Sequence, residues 1–321
     1  MQVVTIVDLD TPVYKACAAT EKRSIEVLHK SGATKEFNTR TEFKELLKSK
    51  NKLDRIDEYE IKDIQVAEPV EHSCQILKNL ISRIIEDTAP DKTIFLISGS
   101  TNFRNDLELP TKYKSSRTGI RPLNLKEVQE WAKVKYKALV SVNEEPDDSQ
   151  IWVGYQELAK GNKPIIVTID KDSKSYSGLW LYNPDKAELG SVLIPGLGEI
   201  VIDSKNKVRA TGFMNYALQC LVGDTTDSYR PNELAGSSFG EKTAYKLLKD
   251  CTSEKEILEQ VLQQYKKWYP EPFVYKAWDG TEIQSDWKHM LCLYHKCVRM
   301  KETPNDPLDA VEFYKRYGVE L

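Results

Sequence analysis

Acidic side chains recur in four short strings of this chain: Ile6-Val-Asp8-Leu-Asp10, Glu145-Pro-Asp147-Asp148, Ile169-Asp170-Lys-Asp172 and Gly223-Asp224-Thr-Thr-Asp227. Two unit charges about 4 Å apart repel by about 4 kcal/mol at an effective dielectric near 20, so carboxylates gathered into one cleft demand cations. An all-oxygen donor set selects Mg²⁺ or Mn²⁺ rather than zinc. Two such ions, about 3.5–4 Å apart, can activate water and stabilise the leaving oxygen of a phosphodiester. Taken singly, the same residues are ordinary. Acids after strands are solvated loop residues, and Glu145, Asp147 and Asp148 around Pro146 suit the positive end of a helix. The chemistry depends on whether the strings converge.

A second contrast is positive. Between Lys112 and Lys137 stand eight Lys or Arg against two Glu, in a chain that carries 46 basic and 49 acidic residues overall. Its core is Tyr113-Lys114-Ser-Ser-Arg117, an aromatic ring beside two cations, which suits a nucleic-acid end stacked on the ring with its phosphates neutralised. Lys126, Lys133 and Lys137 also fit a plain solvated helix face. Further on, Gly236-Ser-Ser-Phe-Gly240-Glu-Lys242-Thr243 misses a P-loop because Glu241 stands where glycine must precede Lys-Thr, so no nucleotide cofactor is expected. It reads as a tight turn opening a helix, whose exposed backbone N–H groups suit a phosphate of duplex DNA. His289, Cys292, His295 and Cys297 mimic a zinc string, but they sit in an apolar helical pattern and read as core.

The elements that must hold these groups follow from periodicity. Val3–Val7, Thr93–Ile97 and Ile165–Ile169 read as buried strands. Residues 74–86 have a helical apolar face, and Asn124-Leu-Lys-Glu127 resembles a capping box leading into a helix through Trp131 and Leu139. Strands alternating with helices predict an α/β fold with a mainly parallel central sheet flanked by helices. In such a sheet, ligands bind beyond the carboxyl ends of the strands, where Asp8, Asp170 and Asp172 fall. Residues 24–67 interrupt the pattern: a hairpin around Gly32, then a helix over 42–50. From about 211 the chain reads helical (211–222, 240–250, 253–267, 286–300 and 307–317), which predicts a boundary near 205. The net charge of −3 excludes a globally basic nucleic-acid coat, and 40% apolar content excludes disorder as the overall state. No apolar run reaches the roughly 18–20 residues of a membrane span, so no membrane partner is expected. The Val3–Val7 stretch lacks a basic flank and does not read as a signal peptide. Six cysteines without a C-x-x-C pair favour a reduced, cytoplasmic compartment.

The order of these segments resembles the phage and bacterial 5′→3′ exonuclease and flap endonuclease family, above all the short podophage exonucleases. The resemblance runs from the first strand to about residue 250. It rests on Ile-Val-Asp8, Asn102-Phe-Arg104 with Tyr113-Lys114-Ser-Ser-Arg117, Glu145-Pro-Asp147-Asp148, Asp170-Lys-Asp172, Gly223-Asp224-Thr-Thr-Asp227 and Phe239-Gly-Glu-Lys-Thr-Ala244. It implies a flap-nuclease (PIN-like) core over 1–205 with a helical arch at about 104–137. It also implies a helical DNA-binding region over 206–321 with a helix–turn–helix-type clamp. It implies that Asp8, Glu145 and Asp147 ligate a first Mg²⁺ or Mn²⁺, and Asp170, Asp172 and Asp227 a second, with Asp147 between. Asp148 and Asp224 match further acidic positions. Lys114 and Arg117 match residues on the scissile phosphate, Arg104 and Tyr113 fall to the substrate, and Gly236, Gly240, Lys242 and Thr243 fall to the duplex backbone beside a monovalent cation. The family usually carries an Asp after the second strand; this chain has Ser98-Gly99-Ser100, and Asp10 is a candidate substitute. The implied activity is hydrolysis at 5′ ends of double-stranded DNA, extending to RNA–DNA hybrids and flaps, in phage DNA replication or host-DNA breakdown within the host cytoplasm.

Two other readings use the same residues. A haloacid dehalogenase-type phosphatase would take Asp8 as nucleophile in Asp8-Leu-Asp10, with Ser98 and Gly223-Asp224-Thr-Thr-Asp227 as later motifs. It needs a strand before Gly223 and leaves Glu145-Pro-Asp-Asp and the basic segment idle. A DNA-binding protein with a degenerate nuclease site would account for Gly99.

Overall fold

The computed structural model describes the whole chain, Met1–Leu321. Its elements run β1 (Val3–Asp8), α1 (Asp10–Ala19), β2 (Glu21–His29), β3 (Thr34–Phe37), α2 (Arg40–Ser49), β4 (Tyr59–Ala67), α3 (Val70–Thr88) and β5 (Lys92–Ser98). They continue with α4 (Leu125–Lys135), β6 (Leu139–Ser141), α5 (Pro146–Ala159), β7 (Lys163–Val167), β8 (Trp180–Tyr182), β9 (Ser191–Leu193), β10 (Ile200–Ile202) and β11 (Val208–Ala210). The last are α6 (Gly212–Val222), α7 (Glu241–Leu248), α8 (Glu254–Trp268), β12 (Phe273–Lys276), β13 (Glu282–Ser285), α9 (Trp287–Val298) and α10 (Ala310–Arg316). No helix is long and apolar enough to cross a membrane.

The chain packs as two units, residues 1–8, 83–119 and 138–321 in one and residues 9–82 and 120–137 in the other. The boundary expected near 205 does not separate them. Ile200 and Val208 pack in one core with Leu109, Tyr113 and the apolar faces of α6, α8 and α9, because α6 is buried from Gly212 to Leu221 and must be covered on every side. The 104–137 segment is divided between the units. Its 107–124 stretch is irregular, and only α4 is helical at length.

The larger unit is a mixed α/β body whose six-stranded sheet has the order β6-β5-β1-β7-β8-β9. Every pair is parallel except β8–β9. The predicted strands β1, β5 and β7 are its centre, with Ile6 opposite Ile94 and Ile166. Val4, Ile6, Leu96 and Ile166 meet Ile151 and Val153 of α5 on one face. The third strand stops at Val167, so Thr168 and Ile169 already belong to the turn that carries Asp170. Leu139, read as the end of a helix, instead begins β6, and Ser141 pairs with Ser98. That pairing accounts for Gly99: a Cβ there would overlap the Ser141 carbonyl oxygen, so no aspartate fits while β6 lies against β5. The segment before Gly223 is helix α6, which removes the strand a dehalogenase-type phosphatase needs. His295 on α9 is fully buried and bonded to the Tyr216 hydroxyl at 2.8 Å, as a core histidine.

The smaller unit resolves the 24–67 interruption. The hairpin is β2–β3, and β4, which polar alternation concealed, completes an antiparallel sheet of order β3-β2-β4. Ile25, Val27 and Phe37 on one face meet Phe43 and Leu47 of the amphipathic α2. Thr39 caps α2 by accepting the Glu42 N–H at 3.1 Å. Asn124 makes no such cap on α4; its amide donates to the Glu68 carbonyl instead.

Candidate active site

The turns beyond the carboxyl ends of β1 and β7, the start of α5 and the turn after α6 bring Asp8 and the other three acidic strings together within the larger unit. Asp147 stands at their centre. Its carboxyl is held well above the ordinary carboxylate range, first by burial and then by Asp170, Asp8, Glu145 and Asp148. Its Oδ1 is sealed from solvent and has no hydrogen-bond partner. Asp170 is raised by burial and by Asp227 and Asp224, against a backbone N–H from Asp172. Asp172 is raised well above its usual value by burial and Asp170. Thus Asp8, Glu145, Asp147, Asp170, Asp172 and Asp227 share one electrostatic neighbourhood.

Local structure explains the convergence. The Asp8 and Asp170 turns leave adjacent parallel strands. Gln150, one turn after Asp147 on α5, donates from Nε2 to the carbonyls of Ile6 and Val167, both at 3.0 Å. One side chain therefore ties the helix of Asp147 to both strands. Asp170 accepts the Asp172 N–H at 2.9 Å, which closes a short Asx turn. Asp172 is held by the Gln219 amide of α6, and Asn215 of the same helix donates to the Lys171 carbonyl at 3.1 Å. Gly223, at φ +74°, ends α6 where a Cβ would overlap the Tyr229 carbonyl, and this lets the chain turn into Asp224–Asp227.

The cations of the basic segment lie on the acids. Lys114 pairs with Glu145 and stands 3.9 Å from Asp227, and Arg117 donates to Asp227 at 2.6 Å. Lys114 has a left-handed backbone, φ +58°, and its N–H donates to the Asp227 carbonyl at 2.8 Å. Ser116 N–H donates to Ser228 Oγ at 2.9 Å. Residues 114–117 are therefore sewn to the 225–228 turn.

Four predicted site residues are placed differently from expectation. Tyr113 is buried, and its hydroxyl bridges Asp227 at 2.8 Å and Glu145 at 3.2 Å. The ring is core and presents no face for stacking, and burial raises the phenol far above its usual pKa. Arg104 is buried too. It grips Asp148 through two bonds of 2.6 and 2.9 Å and donates to the Cys297 and Arg299 carbonyls at 3.3 and 2.9 Å, and at 3% exposure it presents no surface to a substrate. Asp148, fully buried, accepts those bonds and the N–H groups of Glu145 and Lys301, and it serves as the N-terminal anchor of α5. Asp224 is paired with Lys171 at 2.8 Å. Burial opposes its ionisation, but Lys171 and the Thr226 N–H hold it below the usual range. Asp10 opens α1 and accepts from Gln129 at 3.3 Å. At the glycine turn, Gly236 is left-handed at φ +64°, Gly240 is the N-cap of α7, and Lys242 and Thr243 are exposed on its first turn.

Sequence reasoning missed Lys171, Gln150 and Gln219. Lys171 was visible between the two aspartates; nothing marks either glutamine before the helices are docked.

No three of these side chains are closed into a metal-binding geometry. The donor chemistry nevertheless fits a hard divalent cation: oxygen only, with a sealed and partnerless carboxylate oxygen at the centre and three carboxyls whose ionisation the fold opposes. Glu145 and Asp227 are meanwhile neutralised by Lys114 and Arg117.

These raised carboxyls give the pH dependence a definite sign. With a folded pKa above the unfolded one, Asp147, Asp170 and Asp172 contribute stability that is fully present below about pH 4. It is lost as pH rises through their raised values. His295, held neutral by burial, works the other way but equally with or without metal. Because ligating carboxylates must be ionised, the gain in thermal midpoint from excess Mg²⁺ over chelator should be near zero at about pH 4 and grow toward about pH 8. A gain independent of pH would exclude these carboxyls as its source.

No protein-family model matches the chain, and no curated protein matches it. Among solved structures, it is similar to the D15 protein of bacteriophage T5 co-crystallised with metal ions. That match has TM-score 0.48 at 13% identity and covers 98% of this chain and 97% of the other. It is similar to a point mutant of the T5 5′-exonuclease, with TM-score 0.46 at 12% identity, covering 99% and 96%. It is also similar to the T5 D15 flap endonuclease in a pseudo-enzyme–product complex with DNA and metal ions, with TM-score 0.44 at 12% identity, covering 83% and 86%.

Proposed function

We propose that the chain is a Mg²⁺- or Mn²⁺-dependent 5′→3′ exonuclease acting on double-stranded DNA with a free 5′ end. The observation that carries this reading is the partnerless, sealed Oδ1 of Asp147 amid Asp8, Glu145 and Asp170. A carboxylate so placed is costly unless a cation completes it. We assign Asp8, Glu145 and Asp147 to one ion and Asp170, Asp172 and Asp227 to the other, with Asp147 between. Ions held there would supply activation of the attacking water and neutralisation of charge on the leaving oxygen.

The surrounding side chains divide the remaining work. Lys114 and Arg117 leave their carboxylate partners and donate to the non-bridging oxygens of the scissile phosphate, where negative charge grows. Tyr113 fixes the separation of Glu145 and Asp227 from below. Lys171 keeps Asp224 ionised and the 224–227 turn closed. The turn from Gly236 into α7 presents backbone N–H groups, Lys242 and Thr243 to the duplex backbone, without reading sequence. A monovalent cation at that turn, and action on RNA–DNA hybrids and flaps, belong to the same reading.

Duplexes labelled at the 5′ or 3′ end, incubated with Mg²⁺ or with chelator, test it. Mg²⁺-dependent release of 5′ label as short products is expected. Binding without release would leave a degenerate, DNA-binding site, the reading to which Gly99 points. Lys114→Ala with Arg117→Ala should lower the cleavage rate by about 10²–10³-fold. The same pair should cost no more than about 1 kcal/mol of stability, because Lys114 is only half-buried and Arg117 is exposed. An unchanged rate would remove the pair from the reaction.

A further inference from the structure

On the sheet edge beyond the Asp172 turn, a cavity of about 290 Å³ opens where β8 and β9 meet the Asp172–Ser175 segment through Lys174 and the segment before β9; Asp172 itself does not line it. Leu181, Leu189, Val192 and Leu193 supply apolar wall, and Lys174 and Lys186 are its charged groups; no carboxylate lines it. Three of those walls remain open to solvent: Leu189 is 62% exposed, Val192 53% and Leu193 48%. An apolar surface left uncovered beside a concavity marks a binding site more often than chance exposure does. The charges point the same way. Lys174 and Lys186 both line the hollow. Arg209 is neutralised by Asp203 at 2.9 Å, and the two lysines are left to face one hollow. Two ammonium groups at the rim of an apolar hollow complement an anionic head group.

We propose that this cavity binds a small amphiphilic anion, an apolar chain or ring seated on Leu181, Leu189, Val192 and Leu193 with a carboxylate or phosphate head between Lys174 and Lys186. Its size lies at the lower end of ligand pockets, which fits a small molecule and not a polypeptide. The inference is independent of the nuclease reading, since it uses none of the acidic residues.

Titration calorimetry and methyl NMR with four eight-carbon probes test it: octanoate, octyl phosphate, octanamide and octylammonium. Octanoate or octyl phosphate should bind with shifts confined to the methyls of those four residues, and the tighter of the two identifies the head group. Octylammonium should bind at least about tenfold more weakly, and Lys186→Glu, at an exposed position, should weaken the anions by about tenfold while leaving octanamide unchanged. Equal affinity for all head groups, no binding by any probe, or indifference of the anions to Lys186→Glu would overturn the proposal.

Discussion

Asp147→Asn is expected to abolish cleavage and, at the same time, to leave the protein more stable in chelator than the wild type. The two effects share a cause. Asp147 is pressed by burial and by Asp170, Asp8, Glu145 and Asp148, and its Oδ1 has no partner inside the protein. Asparagine keeps the shape and removes the charge. The like-charge repulsion falls, for a gain of about 1 kcal/mol, or roughly 2–4 °C in a domain of this size. The carboxylate we propose to be shared between two ions is lost with it, and the rate should fall by at least about 10³-fold. The wild type should gain in midpoint on adding Mg²⁺, and the variant should gain much less. Thermal melts in chelator and in Mg²⁺, beside a nuclease assay on end-labelled duplex, read all three. A variant that loses activity only in proportion to lost stability would mean that Asp147 is a structural acid.

The second large effect concerns the buried ion pair near the site. Arg104→Met should destabilise the protein by about 3–5 kcal/mol, a sizeable share of the roughly 5–15 kcal/mol typical of folded proteins. Removing the guanidinium strands Asp148, which is fully buried, and leaves the Arg299 carbonyl without that donor. Asp148→Leu in the Arg104→Met background should recover part of the loss, since a buried pair replaced by apolar volume is often tolerated where a broken pair is not. Recovery should be incomplete, because Asp148 also accepts the Glu145 N–H at 3.1 Å and so holds the start of α5. The comparison separates two roles for Asp148. An anchor produces loss of stability with partial rescue, whereas a metal ligand produces loss of cleavage in a fold of normal stability. Denaturant midpoints of the two variants decide between them.

The large-scale pattern of the fold was legible because burial on both faces of a parallel strand leaves a nearly continuous apolar run. Strict alternation of apolar and polar residues is absent from Val3–Val7, from Thr93–Ile97 and from the strand ending at Val167, and all three form the centre of the sheet. The helices from α6 to α10 were legible from their apolar stripes. Strands β4, β12 and β13 were not: each has one solvated face and a mixed composition, so no run marks them. The division into units was also hidden. Apolar pattern shows that a helix face is buried but not against which partner, and Ile200 and Val208 could be assigned to the α6–α9 core only once that core existed.

At the site, sequence alone determined which acids and bases were available and that the four acidic strings sit at turns or helix starts, since chain-local chemistry decides both. Only the tertiary structure decided how they divide the work. Asp147 and Asp148 are neighbours of the same type, yet α5 turns one toward Asp8 and Asp170 and the other toward Arg104. Tyr113 and Lys114 are adjacent too, and a left-handed residue sends one ring into the core and one ammonium onto Glu145. Successive side chains leave the backbone in different directions, and what each meets is set by segments distant in the chain. Their ionisation and reach are therefore properties of the packed fold.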